Sequence, residues 1–167
     1  KKKKSFKKIY FDSTLDKAVS KFVPSEDVVV PYTATDLASA ERITHVLRRN
    51  ENEIRKLQVQ GFYSDVEIKE QTEQPNSQIQ EAVNKLDRVK PTGSGYSNDN
   101  YTLLEIHCEL DLPGFEDDDG IKLPYIVTID EGSQKVLSIY RNYDEKDTLK
   151  KKKQYFVHYK FLPGLGF

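Results

Sequence analysis

The amino-acid sequence predicts an α+β fold, in which two or three short helices pack on a mainly antiparallel sheet of hairpins and meanders. Two observations support this prediction. β-Branched and aromatic runs separated by short polar turns recur along the chain, which is typical of paired strands. Other stretches begin with the residues of a helix N-cap and continue with apolar residues three or four apart, which indicates amphipathic helices.

The strongest strand signal lies between Leu123 and Phe161. It contains three runs, Tyr125–Ile129, Val136–Tyr140 and Tyr155–Phe161, with a polar, Gly-containing turn between the first two. Alternate side chains of each run share a face, since the side chains of a strand point to its two sides in turn. The pattern predicts that the three runs pair with one another as an antiparallel meander and form a stiff core.

Four shorter strand signals precede residue 50. Ser5–Asp12 and Ala18–Val23 flank a short polar stretch and predict a hairpin. Val28–Val30 precedes Pro31, which favours extended backbone in the residue before it and so agrees with a short strand. Arg42–Leu47 is predicted to be a strand because a new helix start follows it directly.

Two short helices are predicted before residue 61. A Thr-Asp pair can cap one across Leu37–Ala40. Asn50 and Glu53 have the spacing of a capping box and predict a second helix over Asn50–Gln60. Gly61 stands where that helix is expected to stop, since Gly is the usual residue just past a helix end.

A third helix, a loop and a long strand are predicted next. Ser77–Arg88 begins with a capping pair and carries an apolar stripe, and residues 90–100 are rich in Gly, Ser and Asn, which predicts a flexible loop. Tyr101–Leu112 is predicted to be a strand with one buried and one solvent-facing side. We expect Leu104, Ile106, Cys108 and Leu110 to be buried and Leu103, Glu105, His107 and Glu109 to face solvent.

The length of 167 residues fits a single domain, with residues 1–17 as a tail or hairpin arm. Hydrophobic residues make up 37% and charged residues 32%, which predicts a thin core under a large polar surface. The formal net charge of −1 indicates neither nucleic acid nor membrane as a partner of the chain as a whole. No membrane span or signal peptide is expected, and the absence of Met suggests a piece cut from a longer polypeptide.

Three patterns in the sequence resemble sites of chemistry. His107 and Cys108 are adjacent, so on a strand they point to opposite faces, and a Cys/His dyad would need His45 or His158. Asp117–Gly120 does not have the oxygen-ligand spacing of an EF-hand calcium loop. Gly93–Gly95 lacks the remaining residues of a dinucleotide or phosphate loop. With no nucleophile or zinc motif either, we expect no enzymatic activity, no metal and no cofactor.

The lysine runs are candidate nucleic-acid contacts. Lysines neutralise phosphates, and the aromatic residues near both runs could stack on single-stranded bases. The aromatics also alternate as strand residues do, so core packing explains most of them. The candidate contacts are Lys150, Lys151, Lys152 and Lys153, with the run that opens the chain as a second basic stretch.

The order of elements resembles that of the portal proteins of short-tailed bacteriophages. The similar segments span most of residues 18–167: VPSEDVVVPYTATDLASA from Val23, QVQGFY from Gln58, YTLLE from Tyr101, PYIVTI from Pro124, VLSIYRNY from Val136, and QYFVHYKFLPGLGF from Gln154. In that family a Gly-rich turn such as the last one leads into a long helix, so the resemblance implies the outer, wing-like region of a longer subunit.

The resemblance implies a structural role without catalysis. The parent subunit would form a twelve-membered ring at one vertex of the virion, assembled in the bacterial cytoplasm. Double-stranded DNA would pass through the ring during packaging and ejection. Its partners would be other copies of the subunit, capsid proteins, tail-adaptor proteins and a separate packaging motor. The alternative hypothesis is a nucleic-acid-binding module that uses the lysine-rich ends.

Overall fold

The computed structural model describes residues 4–12, 15–69 and 101–160. These ranges contain eight β-strands, one α-helix and one 3₁₀ turn at Ser25–Asp27. In chain order the elements are β1 (Lys4–Asp12), β2 (Lys17–Pro24), β3 (Val28–Val29), β4 (Arg42–Arg49), α1 (Glu51–Val59), β5 (Tyr101–Leu110), β6 (Leu123–Asp130), β7 (Val136–Arg141) and β8 (Phe156–Lys160).

The strands form two sheets, and all the strand pairs are antiparallel. One sheet has five strands in the order β3-β4-β5-β6-β7, and the other has three in the order β2-β1-β8. The described part of the chain is therefore mainly β, and the predicted α+β class with two or three helices is wrong. Ser77–Arg88 and residues 90–100 lie outside the described residues.

The predicted helix at Leu37–Ala40 is also wrong, because the chain forms turns there. The Asp36 carboxylate accepts a hydrogen bond from the Ser39 backbone N–H at 2.6 Å. Short polar side chains that bind nearby backbone groups stabilise turns in competition with a helix. The capping residues found in the sequence thus stabilise a turn that no helix follows.

Helix α1 confirms the prediction for Asn50–Gln60. The Asn50 side chain accepts a hydrogen bond from the Glu53 backbone N–H at 2.8 Å, as an N-cap should. Gly61, just past the C-cap Gln60, has a φ of +77°, a conformation that Gly adopts without steric cost. Ile54 is fully buried and attaches the helix to the sheet.

The predicted three-stranded meander at the end of the chain is only partly correct. The hairpin β6–β7 is present, with Val127 opposite Ile139. The third run, β8, pairs instead with β1 in the other sheet, where Phe156 lies opposite Lys8. A tight turn constrains two strands to pair, whereas the longer connection at residues 142–155 imposes no partner on β8. The predicted hairpin of the first two runs is confirmed as β1–β2.

The assignment of buried and solvent-facing sides of β5 was wrong. Tyr101, Leu103 and His107, on the side expected to face solvent, are buried. Both α1 and the three-stranded sheet pack on this side, because Leu103 contacts Ile54 while His107 contacts Phe156. The opposite side is partly buried and carries Cys108 next to a smaller apolar cluster around Leu123, Tyr125 and Val127. Long-range packing, which the alternation cannot show, decides which side is covered.

A segment after α1 runs along β7, which is an edge strand. The Ser64 backbone N–H donates to the Leu137 carbonyl at 2.7 Å, and the Tyr140 hydroxyl donates to the Phe62 carbonyl at 2.5 Å. Further along, the Lys69 N–H donates to the Asp130 carboxylate at 3.3 Å. The segment therefore covers part of an edge that would otherwise present unpaired backbone groups.

Replacing Gly132 with Ala is expected to destabilise the fold by about 1–3 kcal/mol, the usual cost of overpacking. A Cβ at this position would lie 2.6 Å from the Lys69 carbonyl oxygen, so backbone would have to move. Thermal unfolding of the variant checks this. Glu131→Ala in the same turn, which removes atoms, should have a smaller effect. Equal melting temperatures for wild type and Gly132→Ala would contradict the close approach.

Candidate functional site

Four polar side chains meet where the two sheets pack together. Lys8 comes from the three-stranded sheet, and His45, Glu105 and His107 come from β4 and β5 of the five-stranded sheet. The pairing register places His45 opposite Glu105 and so puts both on one face. We call this group the Glu105 cluster.

The Glu105 carboxylate is the centre of the cluster. The Lys8 ammonium donates to its two oxygens at 2.5 and 2.7 Å, and His107 Nε2 lies 2.8 Å from Oε1. An ionised carboxylate only accepts hydrogen bonds, so the His107 Nε2 must carry the proton and donate it. The carboxylate thus ties a lysine of one sheet to a histidine of the other.

Aromatic rings close the cluster on the side of β8. The Phe156 ring is nearly perpendicular to the rings of His45 and His107, with centroids 5.5 and 5.2 Å apart. Such edge-to-face contacts add to the stability gained from burial. His45 Nδ1 is 4.0 Å from the Glu105 carboxylate, and it is buried without a hydrogen-bond partner.

The surroundings shift two of the pKa values strongly. Burial alone raises the pKa of Glu105, but the hydrogen bond from His107 and the charge and hydrogen bond of Lys8 outweigh it and lower the pKa to about 2. Burial, reinforced by the Lys8 charge, lowers the pKa of His45 to about 4. At neutral pH the cluster therefore contains an ionised Glu105 and a neutral His45.

The geometry favours a structural role for the cluster. A carboxylate with a pKa near 2 is a weak base, and its oxygens already accept hydrogen bonds from Lys8 and His107. The cavity beside His107 has a volume of about 20 Å³, which is room for about one water molecule. In the part of the chain that the structure describes, no three His, Cys, Asp or Glu side chains are grouped to hold a metal.

The histidines and Cys108 do not form a catalytic dyad in the described structure. His45 and His107 point to the face that carries the Glu105 cluster, whereas Cys108 packs on the other face. His158 is exposed on β8 and stacks on Phe6, with ring centroids 5.1 Å apart. Burial raises the pKa of the Cys108 thiol, which disfavours the reactive thiolate.

The four lysines of the second basic run have unequal surroundings. Lys150 forms an ion pair with Asp117 of the acidic block, and the hydrogen bond from Lys150 lowers the pKa of Asp117. The Lys152 ammonium donates to the Ala40 carbonyl at 2.7 Å. Lys151 and Lys153 are exposed. Two of the candidate nucleic-acid contacts thus bind protein groups. The opposite charges of the lysine run and the acidic block could have indicated the Lys150–Asp117 pair, but not the contact of Lys152 with a backbone carbonyl.

The three-stranded sheet leaves apolar side chains exposed on the face turned away from the Glu105 cluster. We call this the outer face. Register places the side chains on one side, and their exposed fractions are 44% for Ile9, 64% for Phe11, 56% for Phe22 and 48% for Val157. Sequence reasoning missed this surface. The signal was present, because β1 has apolar residues on both sides, which is typical of a strand covered on both faces.

Acid is expected to weaken the fold in two steps. The pKa of His45 is about 4 in the folded chain and ordinarily 6.5, so the unfolded chain binds more protons and stability falls as pH drops from 6.5 to 4. Glu105 adds a second loss as pH drops from 4.5 towards 2, because its folded pKa is also the lower one. The His45 step corresponds to about 3 kcal/mol.

Urea unfolding at several pH values checks the acid effect. His45→Leu should remove most of the change between pH 6.5 and 4, since Leu does not titrate. His158→Leu is the matched control, because His158 is exposed on β8. A His45→Leu profile with the wild-type slope would contradict the assignment.

Comparisons with models of known protein families and with curated proteins found no match. Among the described residues, no helix has both the length and the apolar character needed to cross a membrane.

Proposed function

We propose that this chain is a structural assembly module, the wing region of a subunit of the portal ring of a short-tailed bacteriophage. The observation that carries the proposal is the outer face, with Ile9, Phe11, Phe22 and Val157 exposed together. Contiguous apolar surface of this kind marks protein–protein contacts. A module that acts by shape needs such a surface on a stiff support.

Two features of the described residues indicate that the outer face lies on a rigid pair of sheets. Every described strand except the two-residue β3 pairs with a neighbour over at least five residues, and β1, β4, β5 and β6 pair on both sides. The Glu105 cluster and Phe156 join the two sheets through side chains of both. A side chain on the outer face is thereby held at a fixed position relative to the five-stranded sheet.

The proposed ring assembly comes from the resemblance of most of residues 18–167 to portal proteins. It implies copies of one subunit arranged as a ring, with DNA passing through the channel and capsid, tail-adaptor and motor proteins around it. The alternative, nucleic-acid binding through Lys150–Lys153, is less favoured because Lys150 and Lys152 contact Asp117 and Ala40.

Electron microscopy and sedimentation of the complete polypeptide that contains this chain test the proposal. Closed rings of uniform size are the expected result. A protein that stays monomeric at micromolar concentration would overturn it. So would salt-sensitive retention on DNA that is lost when Lys151 and Lys153 become Gln, because that result assigns the lysine run to nucleic acid.

A further inference from the structure

Two groups of side chains hold the three-stranded sheet against the five-stranded one. The first is the Glu105 cluster, in which Lys8 of β1 binds the carboxylate of β5. The second is apolar and contains side chains from both sides of the contact: Phe6, Val23, Val28, Ala40, Ile43 and Phe156. We call the two groups together the joint.

The five-stranded sheet also has apolar packing of its own. One cluster around Leu103 attaches α1, and another surrounds Tyr125. Among the described residues, neither cluster contains a residue of β1, β2 or β8. The three-stranded sheet, in contrast, buries its inner face only against the joint, and a small antiparallel sheet needs a packed hydrophobic face to be stable. Separation of the sheets would therefore cost the smaller one its stability first.

His45 lies within the joint and has no room for a second proton. Its Nδ1 is buried without a hydrogen-bond partner, 4.0 Å from the Glu105 carboxylate. Charged and titratable groups face it from both sheets and from the 3₁₀ turn: Lys8, Lys21, Asp27, Glu105 and His107. A protonated imidazole would be a buried cation beside the Lys8 ammonium, which is costly without a free anion to pair with it.

The two nearby carboxylates already have partners. Glu105 accepts hydrogen bonds from Lys8 and His107. Asp27 accepts one from the Arg48 guanidinium at 2.7 Å. Neither carboxylate can turn to a protonated His45 without giving up a contact that it makes in the folded chain.

We propose that acid opens the joint: protonation of His45 separates the three-stranded sheet from the five-stranded sheet, which stays folded. Burial, reinforced by the Lys8 charge, lowers the pKa of His45 to about 4, whereas the ordinary value is 6.5. The open form, in which His45 is solvated, therefore binds more protons, and opening becomes more favourable as pH falls from 6.5 towards 4. The inference concerns this chain alone and does not rest on the ring assembly.

Hydrogen exchange of the complete polypeptide, followed by mass spectrometry at pH 7 and pH 5, tests the opening. Protection factors of amides in β1, β2 and β8 should fall about twentyfold between the two pH values, while those in β5, β6 and β7 stay unchanged. The lower pH lies above the range in which Glu105 titrates, so the change reports on His45.

Two histidine variants assign the effect to one residue. His45→Leu should keep the protection of β1, β2 and β8 at pH 5, because Leu does not titrate. His158→Leu is the matched control, since His158 is exposed on β8, and it should respond to pH as the wild type does.

Thiol labelling gives a second measurement that leaves His45 in place. Val23→Cys introduces a thiol in the joint, and Val127→Cys introduces one in the cluster around Tyr125, both in a Cys108→Ala background. Both valines are buried. Between pH 7 and pH 5, dithiodipyridine should label the thiol at position 23 faster relative to the unfolded chain, but not the thiol at position 127.

Three results would overturn the proposal. Protection lost equally in β5 and β1 at pH 5 would mean that the chain unfolds as a unit. Unchanged protection in β1, or a wild-type response of His45→Leu, would remove His45 as the cause. None of these results depends on whether the complete polypeptide forms rings, so the opening and the proposed function can fail separately.

Discussion

Replacing Phe156 with Ala is expected to lower the free energy of unfolding by about 3–5 kcal/mol. Phe156 is 2% exposed and packs with Val23, Val28 and Ile43. It also meets His45 and His107 in edge-to-face contacts. The substitution would leave a cavity where the two sheets join, so both lose contacts at once.

Urea denaturation of the purified variant measures this loss. Val157→Ala is a matched control at the next position of β8, where the side chain is exposed on the outer face. That change should cost less than about 1 kcal/mol. Similar losses for the two variants would mean that Phe156 does not fill the space between the sheets.

Replacing Glu105 with Leu is expected to cost about 3 kcal/mol, which is the scale for breaking a buried ion pair from one side. Lys8 would keep its charge without a carboxylate, and His107 Nε2 would lose its acceptor. The cost comes from leaving these groups unpaired in a mostly buried position, because removing one partner is worse than removing both.

A double-mutant cycle with Lys8→Met separates that cost from general disruption. Lys8→Met/Glu105→Leu should be more stable than Glu105→Leu alone, since no unpaired charge remains. The double variant should still be less stable than wild type, because His107 Nε2 still lacks an acceptor. Strictly additive losses in the cycle would show that Lys8 and Glu105 do not interact.

Elements whose determinants are close in sequence were predictable from the residues. The cap of α1 needs only Asn50 and Glu53, three positions apart, and the hairpin β6–β7 needs only its own alternation and a Gly-containing turn. The pairing of β8 with β1 depends on residues about 150 positions apart. No local signal specifies such a partner, so the expected meander was wrong in its third strand.

The Glu105 cluster was missed for a related reason. An alternating strand with Glu and His on one side is the usual pattern of a solvent-facing surface. Burial of Glu105 becomes tolerable only because Lys8 arrives from 97 residues away. The sequence contains both charges, but nothing in their spacing indicates that they meet.

Two segments that are distant in sequence both bind the turn that joins β6 and β7. The Lys69 N–H binds the Asp130 side chain, while the Glu131 N–H donates to the Thr102 carbonyl at 3.0 Å. Lys69 and Thr102, which are distant in sequence, are therefore both anchored at this turn. The closure cost of a flexible connection between two fixed points grows by only about 0.6 kcal/mol for each doubling of its length. Because both anchor points are fixed at one turn, a change in the length of chain between them costs the two sheets little closure entropy.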